Sequence, residues 1–334
     1  MTKLAHNWQV SSRRDFFQRA GSGLAGIALA NMLQQDGYAA TAGAPYDPLA
    51  PKKPHHEPKA KSVIWLFMEG GPSHVDLFDP KPKLLELAGQ PMPASFGKPI
   101  TAMGTSNNTL MPSKRTFKQY GQSGMTVSDW YPHTAQHVDE MSIIRSCWAD
   151  GLNHVGSVCQ MNTGSILAGR PSMGAWITYG LGSANRNLPT FVVLLDDKET
   201  VGGPKNWSAG FLEATYQGTQ FRQGDTPILH LKPPAGTTDK QQRGKLDFLK
   251  QFNERFASAN PGDTELEARV SSYELAYQMQ SAGPEAVDLT KETEATKNLY
   301  GLDDPETAGF GRNCLLARRL VERGVRFVEL YAGS

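Results

Sequence analysis

The chain has 334 residues, 39% of them hydrophobic, enough for one large α/β domain or two small ones. Its formal net charge of +1 leaves no broad basic footprint for nucleic acid, so no nucleic-acid partner is expected. With 33 glycines and 22 prolines it is rich in turns and long loops, which argues against a helical bundle.

The first signal along the chain is Ser12-Arg13-Arg14-Asp15-Phe16-Phe17, followed by a weakly apolar run from Ala20 to Leu33. An arginine pair and two aromatics before a modest hydrophobic stretch is the pattern of a twin-arginine export signal. The run is too short and too rich in Gly and Ala for a stable membrane span, which needs roughly 20 apolar residues. Ala40-Thr41-Ala42 fits a cleavage site, so residues 1–42 read as a signal peptide handed to the twin-arginine translocase. Proteins on that route cross the membrane folded, and the mature protein is expected in the periplasm or at the cell surface, without a stable span after cleavage. Residues 43–60 read as a Pro-rich extended linker, with His55-His56 as a minor metal-ligand candidate. A domain over 61–334 follows.

Ser62 to Met68 is a continuous apolar run ending at Gly70-Gly71, which predicts a buried first strand of a parallel sheet. Met141–Ser146, Thr190–Leu195 and Val325–Tyr331 are the other strand candidates. Between them the patterns predict helices over Thr134–Glu140, Val155–Leu167, Met173–Leu181, Gln241–Ser258, Thr264–Ser281 and Gly311–Arg323, the last capped by Gly324. Strands alternating with helices predict an α/β fold: a central, mostly parallel sheet flanked by helices. The chain stops at Ala332-Gly333-Ser334, just past the carboxyl end of a strand, where α/β sheets hold their ligands, and so reads as a fragment of a longer protein. Cys147, Cys159 and Cys314 lack CxxC spacing; they read as small buried residues, with one bridge possible in an oxidising compartment. Trp65, Trp148 and Trp176 read as core, and Arg318 and Arg319 as the solvated edge of their helix.

Two loops carry residues suited to chemistry. In Glu69-Gly70-Gly71-Pro72-Ser73-His74-Val75-Asp76, an imidazole and a carboxylate two residues apart can converge on a divalent cation (Zn, Ca or Mg), with Glu69 or Asp79 adding an oxygen. The bland reading is a turn held by Asp and Ser hydrogen bonds. In Asp150-Gly151-Leu152-Asn153-His154-Val155-Gly156-Ser157, a strand end meets a helix start, where backbone amides and the helix dipole favour a phosphate or sulfate. His154 is then a candidate ligand or acid/base, Ser157 a candidate nucleophile, and Asn153 an anion contact or simply the helix cap.

The arginine-pair leader, the segment GGPSHVDLFDPKP, then RSC, NHVGS, NTG, PSMGAW, YELAYQMQ, PEAVDL, YG and LLARRLVERGVRFVELY together resemble the bacterial family of unknown function numbered 1501, from Arg13 to Tyr331. The resemblance implies an alkaline-phosphatase/sulfatase type of fold, a metal-centred site, and a C-terminal part with further His and Asp motifs that this chain lacks. It departs from formylglycine sulfatases. Their Cys/Ser-x-Pro-x-Arg motif aligns with His154, Gly156 and Val158 when counted back from Thr163-Gly164, so no formylglycine can form here. The expectation is an exported metal-dependent hydrolase of sulfate or phosphate esters, acting on a sulfated or phosphorylated small molecule or polysaccharide. The alternative is a non-catalytic protein of the same fold that binds surface polysaccharide or an exported partner.

Overall fold

The computed structural model describes residues 47–333, without 98–100, 102–104, 106, 197–198, 223, 225–226, 229–230, 232, 234–235 and 260–263. The leader and the arginine pair lie outside the described residues, as does Asp197.

Strand β1 is Val63–Met68. A two-stranded antiparallel hairpin follows, β2 (Phe117–Tyr120) and β3 (Met125–Ser128). Helices α1 (Pro82–Glu86), α2 (His154–Thr163) and α3 (Met173–Leu181) precede strand β4 (Phe191–Leu195) and the short β5 (Thr219–Phe221). Then come α4 (Asp239–Ala259), α5 (Thr264–Val287), α6 (Glu294–Leu299), α7 (Ala308–Glu322) and β6 (Phe327–Ala332). Among the described residues the main sheet has four strands in the order β1-β6-β4-β5, every neighbouring pair parallel.

Strand side chains alternate between faces, and each face of this sheet has its own helical cover. Val192 and Leu194 of β4 and Val328 and Leu330 of β6 pack with Leu316 and Leu320 of α7 and Met279 of α5. On the other face Phe191, Val193, Phe327 and Tyr331 meet Val158 of α2 and Met173 and Ile177 of α3. All five residues of β4 are buried, each such side chain contributing about 1.5–3 kcal/mol. The result is a three-layer α/β/α domain, as the alternating pattern predicts. Helix α3 has the predicted bounds because Ser172 caps it, accepting from the Ala175 amide, and Gly182 ends it at φ 64°. The start of the described chain, Leu49 to Lys52, docks at the end of α3. The Ser183 amide donates to the Leu49 carbonyl at 2.8 Å, the Lys52 amide donates to Leu181, and Leu49 packs with Ala175 and Tyr216.

Several expectations need correction. Among the described residues strand β1 is an edge, not a buried strand, and its Ile64, Leu66 and Met68 are exposed. Met141–Ser146 forms no strand. It pairs with no strand among the described residues, and Ile144 is 73% exposed. The β2–β3 hairpin escapes a reading by apolar runs because its strands are short and half polar; Gly121 and Gly124, both at φ 64°, make its turn. Helix α2 stops at Thr163 because Gly164 adopts a left-handed cap at φ 76°. Trp148 and Trp176 stand exposed, and so does Cys147; only Cys159 is fully buried, and all three thiols are free.

Arg319 is the sharpest reversal. It lies buried beneath α7, donating to the carbonyl oxygens of Ala286 (3.1 Å) and Glu285 (2.7 Å) and pairing with the Glu292 carboxylate. Arg318 holds the other Glu292 oxygen at 3.0 Å, and Arg323 pairs with Glu285. This knot fastens α7 to the end of α5.

Candidate functional site

The parallel strands all point their carboxyl ends to one side, where α/β sheets bind ligands. The loops after β1, β4 and β6 meet there. The amide of Asp196, just after β4, donates to the Tyr331 carbonyl at 3.2 Å, and its carboxylate accepts from the Gly333 amide at 3.3 Å.

After β1 the chain reverses through Gly70 and Gly71, at φ 89° and 72°, a conformation that L side chains avoid. A single 3₁₀ turn follows over His74–Asp76, and the amides of Leu77, Phe78 and Asp79 all converge on the His74 carbonyl at 3.1–3.3 Å. Leu77 is buried, and Phe78 packs on Tyr131 at 5.5 Å, so the turn is anchored to the hairpin subdomain. The Ser113 hydroxyl, then that of Ser73, donates to the Asp76 carboxylate and holds it below the usual range; Arg115 and His74 add positive charge. Asp79 is held down by the Lys81 ammonium at 2.6 Å, with Arg145 and His74 also near enough to contribute. This one turn therefore gathers an exposed imidazole, two ionised carboxylates and three cationic neighbours.

Glu69 is not part of that group. Its carboxylate accepts from the Val201 amide, and its charge acts on Tyr331 instead. Among the described residues no three His, Cys, Asp or Glu side chains come together to hold a metal ion. Of the three candidate ligands, His74 and Asp76 share one turn, while Glu69 is engaged with the Val201 amide.

At the start of α2, Asn153 takes the cap role: its side-chain oxygen accepts from the Gly156 amide at 3.0 Å. His154 is the exposed first residue of the helix. Ser157 donates its hydroxyl to the Gly151 carbonyl at 2.8 Å, which shapes the loop and leaves that proton committed. Gln160 reaches back to accept from the amides of Asp150 and Gly151, both at 3.0 Å, clamping the loop onto its helix. Among the described residues no hydrogen bond or ion pair joins this helix start to the His74–Asp76 turn.

Three features were missed by reading the sequence. Thr200 and Asn206 are buried in the loop after β4, and Thr200 Oγ1 and Asn206 Oδ1 have no partner among the described residues. Their only signal was the turn Gly202-Gly203-Pro204 nearby. Glu329 sits at mid-strand in β6, 2% exposed, taking one hydrogen bond at 2.6 Å from the Tyr331 hydroxyl. Its sequence signal is a charged residue inside an otherwise apolar strand.

A protein-family model described as "Protein of unknown function (DUF1501)" matches residues 60–334. No curated protein and no solved structure matches the chain.

Proposed function

The chain belongs to this family of proteins of unknown function, and we propose, from the resemblance set out above together with the turn after β1, that it is an exported hydrolase of sulfate or phosphate esters with an alkaline-phosphatase-like fold. The observation that carries the reading is the turn after β1. There His74, Asp76 and Asp79 stand with Lys81, Arg115 and Arg145 at the carboxyl side of a wholly parallel sheet. Cations beside ordered carboxylates suit a tetrahedral anion whose charge is shared among several donors.

In this reading the ester anion lies between that turn and the start of α2, where the helix dipole favours negative charge. Water attacks sulfur or phosphorus as the bond to the ester oxygen breaks, His154 passes a proton to the departing oxygen, and the proton shed by the attacking water stays on the sulfate or phosphate product until it returns to His154. Asp76, held ionised, is a weak base and orients rather than abstracts. A dependence on Zn²⁺, Ca²⁺ or Mg²⁺ requires donors additional to His74 and Asp76.

The test is release of phenol from aryl sulfates and aryl phosphates by the full chain, with and without each of those ions. We expect turnover, lowered by roughly 10²-fold or more in His154→Ala. Turnover that His154→Ala leaves unchanged removes His154 from the mechanism. Binding of sulfated glycans without cleavage replaces the hydrolase with the non-catalytic alternative.

Export is the second part of the proposal and rests on Arg13-Arg14. Changing both arginines to lysine keeps the charge and removes the pair. The expected result is unprocessed protein retained in the cytoplasm; undiminished appearance outside it contradicts twin-arginine export.

A further inference from the structure

The outer edge of β1 carries none of the devices that keep a sheet edge from pairing. Val63–Met68 holds no charge and no proline, and its register with β6 runs unbroken. Among the described residues β6 is its one strand partner.

The ladder to β6 fixes which groups face outward. The Val63 amide donates to the Arg326 carbonyl at 2.9 Å and the Glu69 amide to the Ala332 carbonyl at 3.2 Å. Backbone groups alternate in direction along a strand, so residues 63, 65, 67 and 69 direct theirs at β6. The amides and carbonyls of Ile64, Leu66 and Met68 therefore point the other way. The side chains of these three residues share one face and are exposed, Leu66 to 56%. Trp65 and Phe67 take the opposite face and pack with Val193 and Tyr331.

We propose that β1 pairs antiparallel with β1 of a second copy of this chain, across a two-fold axis at Trp65. The axis sets Ile64 opposite Leu66 of the partner subunit, and Ser62 opposite Met68 of the partner subunit. Each such pair exchanges two backbone hydrogen bonds. Opposed side chains of an antiparallel pair lie on one face, so Ile64 and Leu66 of both copies join in a single apolar patch. The same axis brings Lys61 of each copy opposite Glu69 of the other, so the strand is charge-complementary to itself at both ends. A shift that sets Leu66 opposite itself loses both ion pairs, and a shift the other way sets Leu66 opposite Ser62. A one-residue slip would point outward groups at inward ones.

The contact closes on itself. It uses the β1 edge of both copies and joins two four-stranded sheets into one, leaving no β1 edge to propagate a fibre. A lipid surface would leave the outward amides and carbonyls without partners. Six residues a side are few against the roughly 20–30 of a standard interface, so a weak, concentration-dependent dimer is expected. This inference does not rest on the hydrolase reading, since the edge forms whether or not esters are cleaved.

The experiment is sedimentation equilibrium of the full chain over a wide concentration range, with hydrogen exchange of the β1 amides at both ends of that range. A monomer–dimer equilibrium is expected, with the amides of Ile64, Leu66 and Met68 protected in the dimer and open in the monomer. Leu66→Lys places a charge in the apolar patch and should weaken the dimer at least tenfold. Lys61→Glu sets carboxylates against each other at both ends and should weaken it by about fivefold. Both side chains are exposed, so both variants should fold, which circular dichroism checks. A monomer at every concentration, or a dimer that either variant leaves equally tight, overturns the proposal. So does protection of those amides in the monomer, which would mean that another segment of the same chain covers β1.

Discussion

Replacing Glu292 with glutamine is expected to destabilise the domain by about 2–4 kcal/mol, measured as the shift in urea unfolding of the purified chain. Glu292 is the carboxylate that the buried Arg319 faces; its side chain is 12% exposed and that of Arg319 6%. Removing the charge leaves a guanidinium inside the protein without its counter-ion, and that is the costly event in breaking a buried pair. The carbonyl oxygens of Ala286 and Glu285 still accept from Arg319, which keeps the loss below the extreme. The pH dependence has a definite sign. The Arg319 hydrogen bond, aided by Arg318, holds Glu292 below its ordinary value, and Arg323 holds Glu285 down at about 2. Depressed carboxylates stabilise above their unfolded pKa and lose that contribution as pH falls through the folded one. The knot is therefore intact above about pH 4.5 and dissolves on the way to pH 2. A Glu292→Gln protein as stable as the parent would mean that α7 is held by its apolar face alone.

Glu329→Gln should act in the opposite direction. Glu329 sits in β6 between Trp65 and Val193 of the adjoining strands, and burial pushes its carboxyl up to about 8 against a smaller lowering by Tyr331. The folded protein keeps the proton that the unfolded chain releases above about pH 4.5. Its contribution is thus complete below that pH, declines as pH rises, and is gone once pH passes about 8. Glutamine is neutral throughout and retains an acceptor for the Tyr331 hydroxyl. At pH 9 the variant is expected to be more stable than the parent by about 1–3 kcal/mol, with the two converging near pH 5. Parallel stability curves from pH 5 to 9 would show that Glu329 does not titrate on unfolding. Trp65 Nε1, on the neighbouring strand and buried without a partner among the described residues, marks the same region as short of polar partners.

These two residues also show where sequence reading reaches its limit. The frame was legible because its signals are local. Phe191–Leu195 is an uninterrupted apolar run, and Ser172 and Gly182 bracket α3 with ordinary capping chemistry. What depends on a distant partner was not. Arg319 looks like a solvated charge until Glu292 and two carbonyl groups, 27 to 34 residues earlier in the chain, fold over it. Met141–Ser146 has strand-like residues and yet pairs with no strand among the described residues. β1 is an edge strand among the described residues, and the face that carries Ile64, Leu66 and Met68 is exposed. Trp176 was placed in the core by composition, whereas its position on α3 turns it outward beside Phe211. The candidate site divided along the same line. His74 and Asp76 were found together because they share one turn, and Asn153 was recognisable as a cap. The engagement of Glu69 with Val201 and of Ser157 with Gly151 required coordinates.

The central claim is that the turn bearing His74 and Asp76 and the helix start bearing His154 serve one anion. The most direct measurement is a crystal structure of the full chain soaked with vanadate or tungstate, which mimic the tetrahedral ester and are unmistakable in anomalous maps. The account predicts a single strong peak within contact distance of both loops. An anion seated elsewhere, or Asp76 and His154 on opposite sides of the molecule, would contradict it.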